Sequence, residues 1–595
     1  MEVDPALQAR LQLADSYARA AQYDRAIPLL EDLFRTAPGL RSIQQKLQKA
    51  YEAVKRYDDV IALLDRNLEH MPSPELRAEK ARLVYLKGDE QAAFAQWEAV
   101  LEGAPQEEYT YRILYNSLMQ VRLLHQAADV LTRGRAHVGN PQLFQIELAY
   151  LYTLIGNHSG AMEEYLALLK LGEGQVNYVR NQLSRSLEQE GALDASIATV
   201  ERRIAEAPNH RSYHDLLAWL YMEAGRYREA LRETRIMDQM DPDKGAVLFN
   251  FARRAAEAAA YNIATEAFDE LLTREPDSPL VAEAQLGLAD MHLLWAETTQ
   301  ERSFDVSGNR LAAPHQEAAL EAFREFLQRF PHHDRYAEIL HRMGRLQQDV
   351  FHSLGEAAAI YSDVIRTHTG TEAASRARFD LGRIAIARGS LEEARGIFAG
   401  LVQTMRLGAI AEEARYQQAL IHFYRGELDV AAAYLSDLDE NTATDTANDA
   451  IALRIVILEN RGPDSLHTPL RMYARASLLL RQHQSRQAIA TMDTLVNQYG
   501  AHPIVDDARF LRAKALRTTG STQEALVAFG ELPLVHPDSP FCDQSLFLVA
   551  EILDVDLGDH ARAVEAYTNV LVQYPGSPLA SAIRQRIRIL RGDGV

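Results

Sequence analysis

Apolar residues recur at helical spacing along almost the whole chain, in pairs of short stripes separated by a turn. In "LLAWLYMEAGRYREALRETRIMDQMDP", from Leu216 to Pro242, two such stripes lie on either side of Gly225. Ala230 offers a small side chain on the second stripe. Pro242 ends the unit because its nitrogen carries no hydrogen to bond within a helix. The pattern therefore predicts a hairpin of two amphipathic helices.

The same hairpin returns at a nearly constant interval. The prolines that end successive units lie 33 or 34 residues apart: Pro38, Pro72 and Pro105, and later Pro208, Pro242 and Pro276. One hairpin can bury only one apolar face, and it does so against its neighbours. The interval therefore predicts a continuous stacked array rather than separate globular domains.

A 34-residue helical hairpin with small residues at its crossing and a terminal proline resembles the tetratricopeptide repeat. The resemblance extends over nearly the whole chain, in about 15 copies. It implies an all-α fold, a right-handed α-solenoid superhelix of helix hairpins. It also implies a non-catalytic protein–protein interaction scaffold that binds a partner protein or extended peptide in its concave groove. A generic helical bundle is the alternative, but it would have no reason to keep a fixed period.

Two irregularities divide the array into predicted segments. The segments are an N-terminal array at 1–276, a middle array at 277–440, an irregular segment or hinge at 441–468, and a C-terminal array at 469–595 closed by a capping helix. In the third segment one helix, about Ala447 to Asn460, has no hairpin mate before Pro469. A degenerate repeat and a hinge both fit this pattern.

The middle array contains an insertion at about 297–314. Pro276 and Pro331 are 55 residues apart, and the surplus follows a first helix that we expect to end near Trp295. Insertions within a repeat project from one edge of a solenoid and often contact partners. Three apolar residues surround a Ser-Gly-Asn turn and predict a short docking hairpin, with a disordered, tolerated loop as the alternative: Phe304, Val306 and Leu311.

The later repeats share a junction in which a proline ends one unit and Ser-Pro opens the next. Ser278, Ser539 and Ser577 are predicted to cap the new helices, with the following proline in the first turn. This junction resembles the repeats of bacterial outer-membrane assembly lipoproteins and Tol-Pal coordinator proteins. The resemblance implies work in the cell envelope.

Composition excludes several other classes of function. The formal net charge of −20 argues against nonspecific nucleic-acid binding, which needs a basic surface. No run approaches the roughly 18 apolar residues of a membrane span. The single cysteine, Cys542, excludes an internal disulfide and a cysteine-based zinc site.

No motif in the chain indicates catalysis. A phosphate-binding glycine loop, a His-Glu-x-x-His motif and a nucleophile elbow are all absent from the sequence. His332, His333, Asp334 and His341 form the best metal candidate, but their spacing gives no convincing ligand set. We therefore expect no catalytic residues, no metal and no cofactor, and we do not expect an enzyme.

The inner helix faces remain as the candidate site. Aligning the copies on their crossing alanines and terminal prolines places asparagine, arginine and aromatic residues in register. Asparagine amides bond an extended backbone, arginine suits carboxylates, and aromatic residues are enriched at binding hot spots. The predicted partner-binding groove consists of Arg112, Asn116, Tyr150, Asn181, Arg185, Trp219, Phe249, Asn250 and Arg253.

These observations favour a scaffold that binds a protein or peptide within a bacterial cell-envelope or secretion assembly. The alternative is a regulatory or adaptor subunit of an enzyme complex in the cytoplasm. A periplasmic or envelope-associated location, with peripheral association and no transmembrane segment, is favoured over a cytoplasmic one. No nucleic-acid partner is expected.

Overall fold

The computed structural model describes residues 5–38, 40–170, 172, 174–300, 313–438, 444–461 and 467–592. Within these residues the regular elements are 32 α-helices and one short π-helical turn, and none is a strand. The insertion residues Phe304, Val306 and Leu311 lie outside the described residues. The chain divides into two compact units, Met1–Leu248 and Phe249–Val595.

The helices of the first unit are 9 to 15 residues long. They are α1 (Pro5–Arg19), α2 (Tyr23–Thr36), α3 (Arg41–Ala53), α4 (Tyr57–His70), α5 (Pro74–Lys87), α6 (Glu90–Gly103), α7 (Glu108–Gln120), α8 (Leu124–Val138), α9 (Gln145–Leu154), α10 (His158–Leu169), α11 (Gln175–Leu183), α12 (Ala192–Glu206), α13 (Arg211–Glu223) and α14 (Tyr227–Met240).

Helix α15 (Ala246–Glu257) begins at the end of the first unit, and the second unit continues from it. Its further helices are α16 (Tyr261–Arg274), α17 (Val281–Gln300), α18 (Ala313–Arg329), α19 (Tyr336–Asp349), α20 (Leu354–Thr367), α21 (Glu372–Ala387), α22 (Leu391–Met405), α23 (Ala409–Tyr424), α24 (Leu428–Ser436), α25 (Asp445–Glu459), α26 (Thr468–Arg481), α27 (Ser485–Gln498), α28 (Val505–Thr518), α29 (Thr522–Val535), α30 (Cys542–Glu551), α31 (His560–Gln573) and α32 (Ala580–Arg591).

The hairpin predicted between Leu216 and Pro242 is formed by α13 and α14. Gly225 adopts a left-handed φ of 69° in the turn, a conformation that glycine reaches without steric cost. Ala230 is fully buried where the two helices cross. The alanines at the equivalent position of other hairpins are buried as well: Ala26, Ala93, Ala127, Ala161, Ala264, Ala319, Ala357, Ala394, Ala431, Ala488, Ala525 and Ala563.

Consecutive hairpins stack in both units. The second helix of one hairpin packs on the first helix of the next, as α2 does on α3, α12 on α13 and α20 on α21. First helices of neighbouring hairpins also contact each other, as α5 and α7 do. Helices α1–α24 and α26–α31 follow one another as 15 consecutive pairs; in the first unit every pair packs together except α11 and α12, since α12 packs on α10 and α13 instead. The predicted all-α solenoid of about 15 hairpins is confirmed.

The hairpin around the insertion is longer than the sequence indicates. Helix α17 continues to Gln300 instead of ending near Trp295, and α18 begins at Ala313. The reason is a stack of rings that supports both helix ends. The Trp295 ring lies 5.3 Å from Tyr261 on one side and 3.8 Å from His315 on the other, between ring centroids. Both ends of the predicted 297–314 insertion are therefore helical.

The Ser-Pro junctions differ from the prediction in one respect. The serine Oγ of Ser278, Ser539 and Ser577 accepts a hydrogen bond from the backbone N–H two residues later, at 3.2–3.3 Å. The helices begin three residues after each serine, so the proline lies in the preceding turn and not in the first helical turn. His333 and His502 use Nδ1 in the same way, which gives these junction histidines a structural role.

Helix α25 has no hairpin mate. It begins after Thr444, whose hydroxyl accepts a bond from the backbone N–H of Ala447. It packs on α24 and α23, while the next helix, α26, also packs on α23. The end of α26 reaches back to earlier hairpins: Leu478 joins the apolar cluster of α21–α23, and the His483 ring lies 4.8 Å from the His352 ring.

Candidate interaction surface

The predicted groove residues of the first unit lie on the first helices of consecutive hairpins. Arg112 and Asn116 lie on α7, Tyr150 on α9 and Trp219 on α13. The first three side chains are exposed and Trp219 is half-buried. These four residues therefore lie on three first helices of the stack, α7, α9 and α13, with α11 between the last two.

The guanidinium of Arg112 already forms hydrogen bonds within the protein. Its Nε donates to Glu108 at 2.8 Å, and its Nη1 donates to Glu147 on α9 at 2.6 Å. The hydrogen bond that Arg112 donates to Glu108, opposed by desolvation and assisted by Glu147, raises the pKa of Arg112. The guanidinium also lies 5.1 Å from the centroid of the Phe144 ring. Arg112 therefore ties α7 to α9, and its charge is balanced before any ligand arrives.

Asn116 lines a cavity of about 520 Å³ between α5 and α7. Tyr109 stands at the same cavity, 57% exposed, and its hydroxyl donates to Glu75 at 2.6 Å. This bond to Glu75 raises the pKa of the Tyr109 hydroxyl. The sequence analysis missed Tyr109, although it occupies the first turn of α7, one turn before Arg112.

Helix α9 adds an apolar patch beside this cavity. Ile146 and Tyr150 are one helical turn apart, and each is about half exposed, at 52% and 50%. Large apolar side chains in this state offer contact area to a partner without being needed for the core. Only Tyr150 of this pair was predicted.

The alignment of the predicted groove residues from one repeat to the next is lost at α11. This helix ends at Leu183, so Asn181 lies in its last turn and Arg185 lies beyond it. Both side chains are exposed, and among the described residues Arg185 forms no ion pair. The arginine that contacts Trp219 is Arg180, which the sequence analysis missed.

Arg180 links α11 to α13. Its Nη2 donates to the Asp215 carboxylate at 2.7 Å and to the Asp215 backbone oxygen at 2.8 Å. Its guanidinium lies 5.9 Å from the Trp219 ring centroid. The 35-residue spacing of Arg180 and Asp215, close to one repeat, is the signal that could have indicated this pair.

The remaining predicted residues belong to the second unit, on α15. Phe249 and Arg253 line a cavity of about 320 Å³ together with Leu294. The Phe249 ring meets the Phe268 ring edge-on at 6.2 Å, and Arg253 lies 3.8 Å from Glu257. Asn250 is exposed beside them.

These surfaces combine aromatic faces, amides and balanced charges on rigid helices, which suits the binding of a polypeptide. Within the described parts of the chain, no cluster of three or more metal-ligating side chains is found. No helix in those parts is long and apolar enough to span a membrane. Cys542 is buried, and its thiol donates to the backbone oxygen of His536 at 3.2 Å.

Models of the tetratricopeptide repeat match residues 353–406, 473–532 and 544–577. The second unit therefore contains tetratricopeptide repeats. No curated protein matches the chain. The matched ranges begin and end close to helix boundaries of the stack described above.

Solved structures resemble the chain only loosely. A chain from Naa15/Naa10 bound to HypK-THB is 12% identical over 99% of this chain and 96% of its own, with a TM-score of 0.25. A chain from the APC/C hetero-tetramer Cut9–Hcn1 is 13% identical over 91% and 96%, with a TM-score of 0.24. A tetratricopeptide repeat protein from Parabacteroides merdae is 13% identical over 51% and 99%, with a TM-score of 0.23. Scores this low support no further argument.

Proposed function

We propose that this protein is a non-catalytic scaffold that binds an extended segment of a partner protein along the first helices of the first unit. The observation that carries the proposal is the row of exposed side chains on α7, α9 and α11, continued by Trp219 on α13. Tetratricopeptide repeats in the same chain support it, because stacked hairpins present an extended surface for partners.

The chemistry of the row defines the segment that it fits. Asn116 and Asn181 offer amide donors and acceptors to an extended backbone. Tyr150 and Trp219 offer flat apolar area with few rotatable bonds to restrict. Arg185 is exposed and forms no ion pair with a described residue, so a carboxylate of the partner fits beside it.

The place of action that we propose is a bacterial cell-envelope or secretion assembly. Its support is the Ser-Pro junction at Ser278, Ser539 and Ser577, which resembles that of envelope proteins. Fractionation of the native organism tests this place, and recovery in the envelope fraction is the expected result. Recovery in the cytoplasm with one stoichiometric enzyme would favour the adaptor role instead.

The binding surface is tested by replacing Asn181 and Arg185 with alanine, singly and together. Both side chains are exposed, so helicity and thermal stability should stay nearly unchanged. Affinity for the captured partner should fall by about 2 kcal/mol or more if these are hot spots, and its salt dependence should flatten. Calorimetry at two salt concentrations measures both effects.

A matched control is available on α14. Arg228 and Arg232 are exposed on this second helix of a hairpin, and their replacement by alanine removes one more positive charge than the test pair does, from another helix face. Partner affinity should survive that double replacement. Equal losses for the two pairs of variants would show a general charge effect and would contradict the proposed surface.

A further inference from the structure

A cavity of about 390 Å³ lies between α17 and α19 and is bordered by the start of α18. Helices α17 and α18 have 20 and 17 residues, whereas α19 has 14. Helices α17 and α18 extend past the end of α19, and the cavity lies where α19 ends. Its apolar lining comes from Leu293, Phe323, Leu346 and Val350.

The side chain of Gln316 also lines this cavity. Its side chain is only 6% exposed, and no hydrogen bond joins its amide to any described residue. Other buried glutamines nearby differ among themselves: Gln285 donates to Glu325 at 2.7 Å and Gln348 accepts from Tyr361 at 3.1 Å, whereas the buried Gln347 has no side-chain bond to a described residue. The Gln316 amide is not among the fully buried atoms without a partner, so it reaches the cavity and offers a ligand both a donor and an acceptor.

The charges around the cavity are largely compensated. Arg342 is bound to Asp290 and lies 4.8 Å from the centroid of the Phe323 ring. Arg345 lies 3.5 Å from Asp349.

Arg383 and Glu297 also contribute to the net charge that a ligand in the cavity would meet. Arg383 also lies 3.5 Å from Asp349 and adds to its compensation. Glu297, at the opening, is exposed and forms no ion pair with a described residue. An anionic ligand would therefore meet one uncompensated carboxylate, and a neutral ligand is favoured.

We propose that this cavity binds a neutral, extended segment of a partner protein, anchored by one leucine-sized side chain. The aliphatic side chain packs on Leu293, Phe323 and Leu346. The Gln316 amide bonds the adjoining peptide group, because a primary amide offers the same donor and acceptor pair as a backbone peptide unit. The site lies in the second unit and is independent of the surface proposed on α7–α13.

The probe is the blocked pentapeptide acetyl-Gly-Ser-Leu-Ser-Gly-amide, added at millimolar concentration to the full chain. Saturation-transfer NMR reports contact of its leucine methyl groups, and a titration gives the affinity. Replacing the leucine by glutamate should abolish binding, because a carboxylate would meet the apolar lining and Glu297. Methylating the peptide nitrogens that flank the leucine should weaken binding several-fold, because a donor is lost.

The decisive variant is Gln316→Leu, which keeps the volume and removes the amide. It should bind the leucine pentapeptide about tenfold more weakly. Its thermal stability should be unchanged or higher, because the amide has no partner to lose among the described residues. Gln328→Ala, an exposed replacement on the same helix, should bind as the wild type does.

Three results would overturn the proposal: no binding of the leucine pentapeptide to the wild type, equal binding of the glutamate peptide, or equal affinity for Gln316→Leu. The Arg185→Ala variant separates this site from the first-unit surface. It should bind the pentapeptide normally, whatever its effect on the partner captured through α7–α13.

Discussion

Small residues at the helix crossings set how closely the two helices of a hairpin approach. Ala394 is fully buried on α22, and Gly382 lies on α21, the other helix of the same hairpin. A Cβ atom added at Gly382 would lie 2.5 Å from the Phe398 ring, closer than real contacts allow. The absence of a side chain at Gly382 is therefore a packing requirement, and backbone freedom is not the reason for this glycine.

Gly382→Ala should destabilise the α21–α22 hairpin by about 1–3 kcal/mol through overpacking. Gly396→Ala on α22 is the matched control, since nothing lies within 4 Å of the added Cβ. There the better helix propensity should stabilise by about 0.5–1 kcal/mol. Amide hydrogen exchange of α21 and α22 measures both changes locally. If the two replacements both stabilise or both destabilise the hairpin, the packing argument is wrong.

Asp507 is a buried carboxyl whose surroundings disfavour its charge. Burial, aided by Asp506 and Glu459, raises its pKa from 3.8 to about 7. The unfolded chain therefore releases this proton at lower pH than the folded protein does. Stability should fall as the pH rises from about 4 to about 7.

Asp507→Asn should remove that pH dependence. At about pH 8 the variant should be more stable than the wild type, by roughly 1–3 kcal/mol, because a buried charge is lost. Below about pH 4 both proteins carry a neutral group, and their stabilities should converge. The stability of both proteins across this pH range is measured by denaturation, with amide exchange in α28 as the probe. A variant that is less stable at every pH would contradict the assignment.

At the scale of elements, the last helix closes the stack through an apolar face and through an ion pair between a partly exposed arginine and a buried carboxylate. Ile583 and Ile587 of α32 are buried against the preceding hairpin. Asp554, fully buried in the π-helical turn after α30, accepts bonds from Arg586 at 2.6 and 3.1 Å. Burial acts to raise the pKa of Asp554, but Arg586 outweighs it and the net pKa is lowered.

Arg586→Met should therefore destabilise the C-terminal hairpin by about 1–2 kcal/mol, because it leaves a buried carboxylate without its main partner, while solvent at the partly exposed Arg586 screens the pair. Arg586→Lys should recover part of the loss, since it restores a cation without the two-pronged geometry. Protection of α31 and α32 from amide exchange reports the effect. If Met and Lys behave alike, the charge of Arg586 is not what matters.

The α17–α18 hairpin should tolerate replacement of residues 301–312 by a short glycine-serine linker. Leu286, Phe323 and Phe326 already pack the two helices together, and the Trp295 and His315 rings stack beyond them. Loop length adds little chain entropy. Circular dichroism and thermal denaturation should match the wild type. A strongly lowered melting temperature would show that the replaced residues belong to the fold.

At the scale of the molecule, stacking between neighbours explains most of both units but not the region around α25. A regular solenoid brings only adjacent hairpins into contact. In the second unit, the turn after α26 lies against the turn between α19 and α20, where His483 meets His352. The unpaired helix α25 separates these hairpins in sequence. It changes the path of the chain, and the stack folds back on itself.

The sequence by itself determined the repeat, the turns and the crossing alanines, because helical periodicity, proline and glycine act over a few residues. It also predicted that Asn116, Tyr150 and Trp219 lie on first helices of hairpins, as they do on α7, α9 and α13, since the repeat carries their register. It could not show that α11 ends before Arg185, because the end of that helix depends on packing with its neighbours.

Only the tertiary structure decided which of these side chains are available to a partner. Arg112 looks like a receptor for a carboxylate in the sequence, yet Glu147, one repeat later, already bonds it. The sequence analysis does not single out Gln316, which is buried beside a cavity lined by three helices. Both outcomes depend on distances between residues far apart in the chain. Local patterns do not encode such distances, and the packing of whole helices sets them.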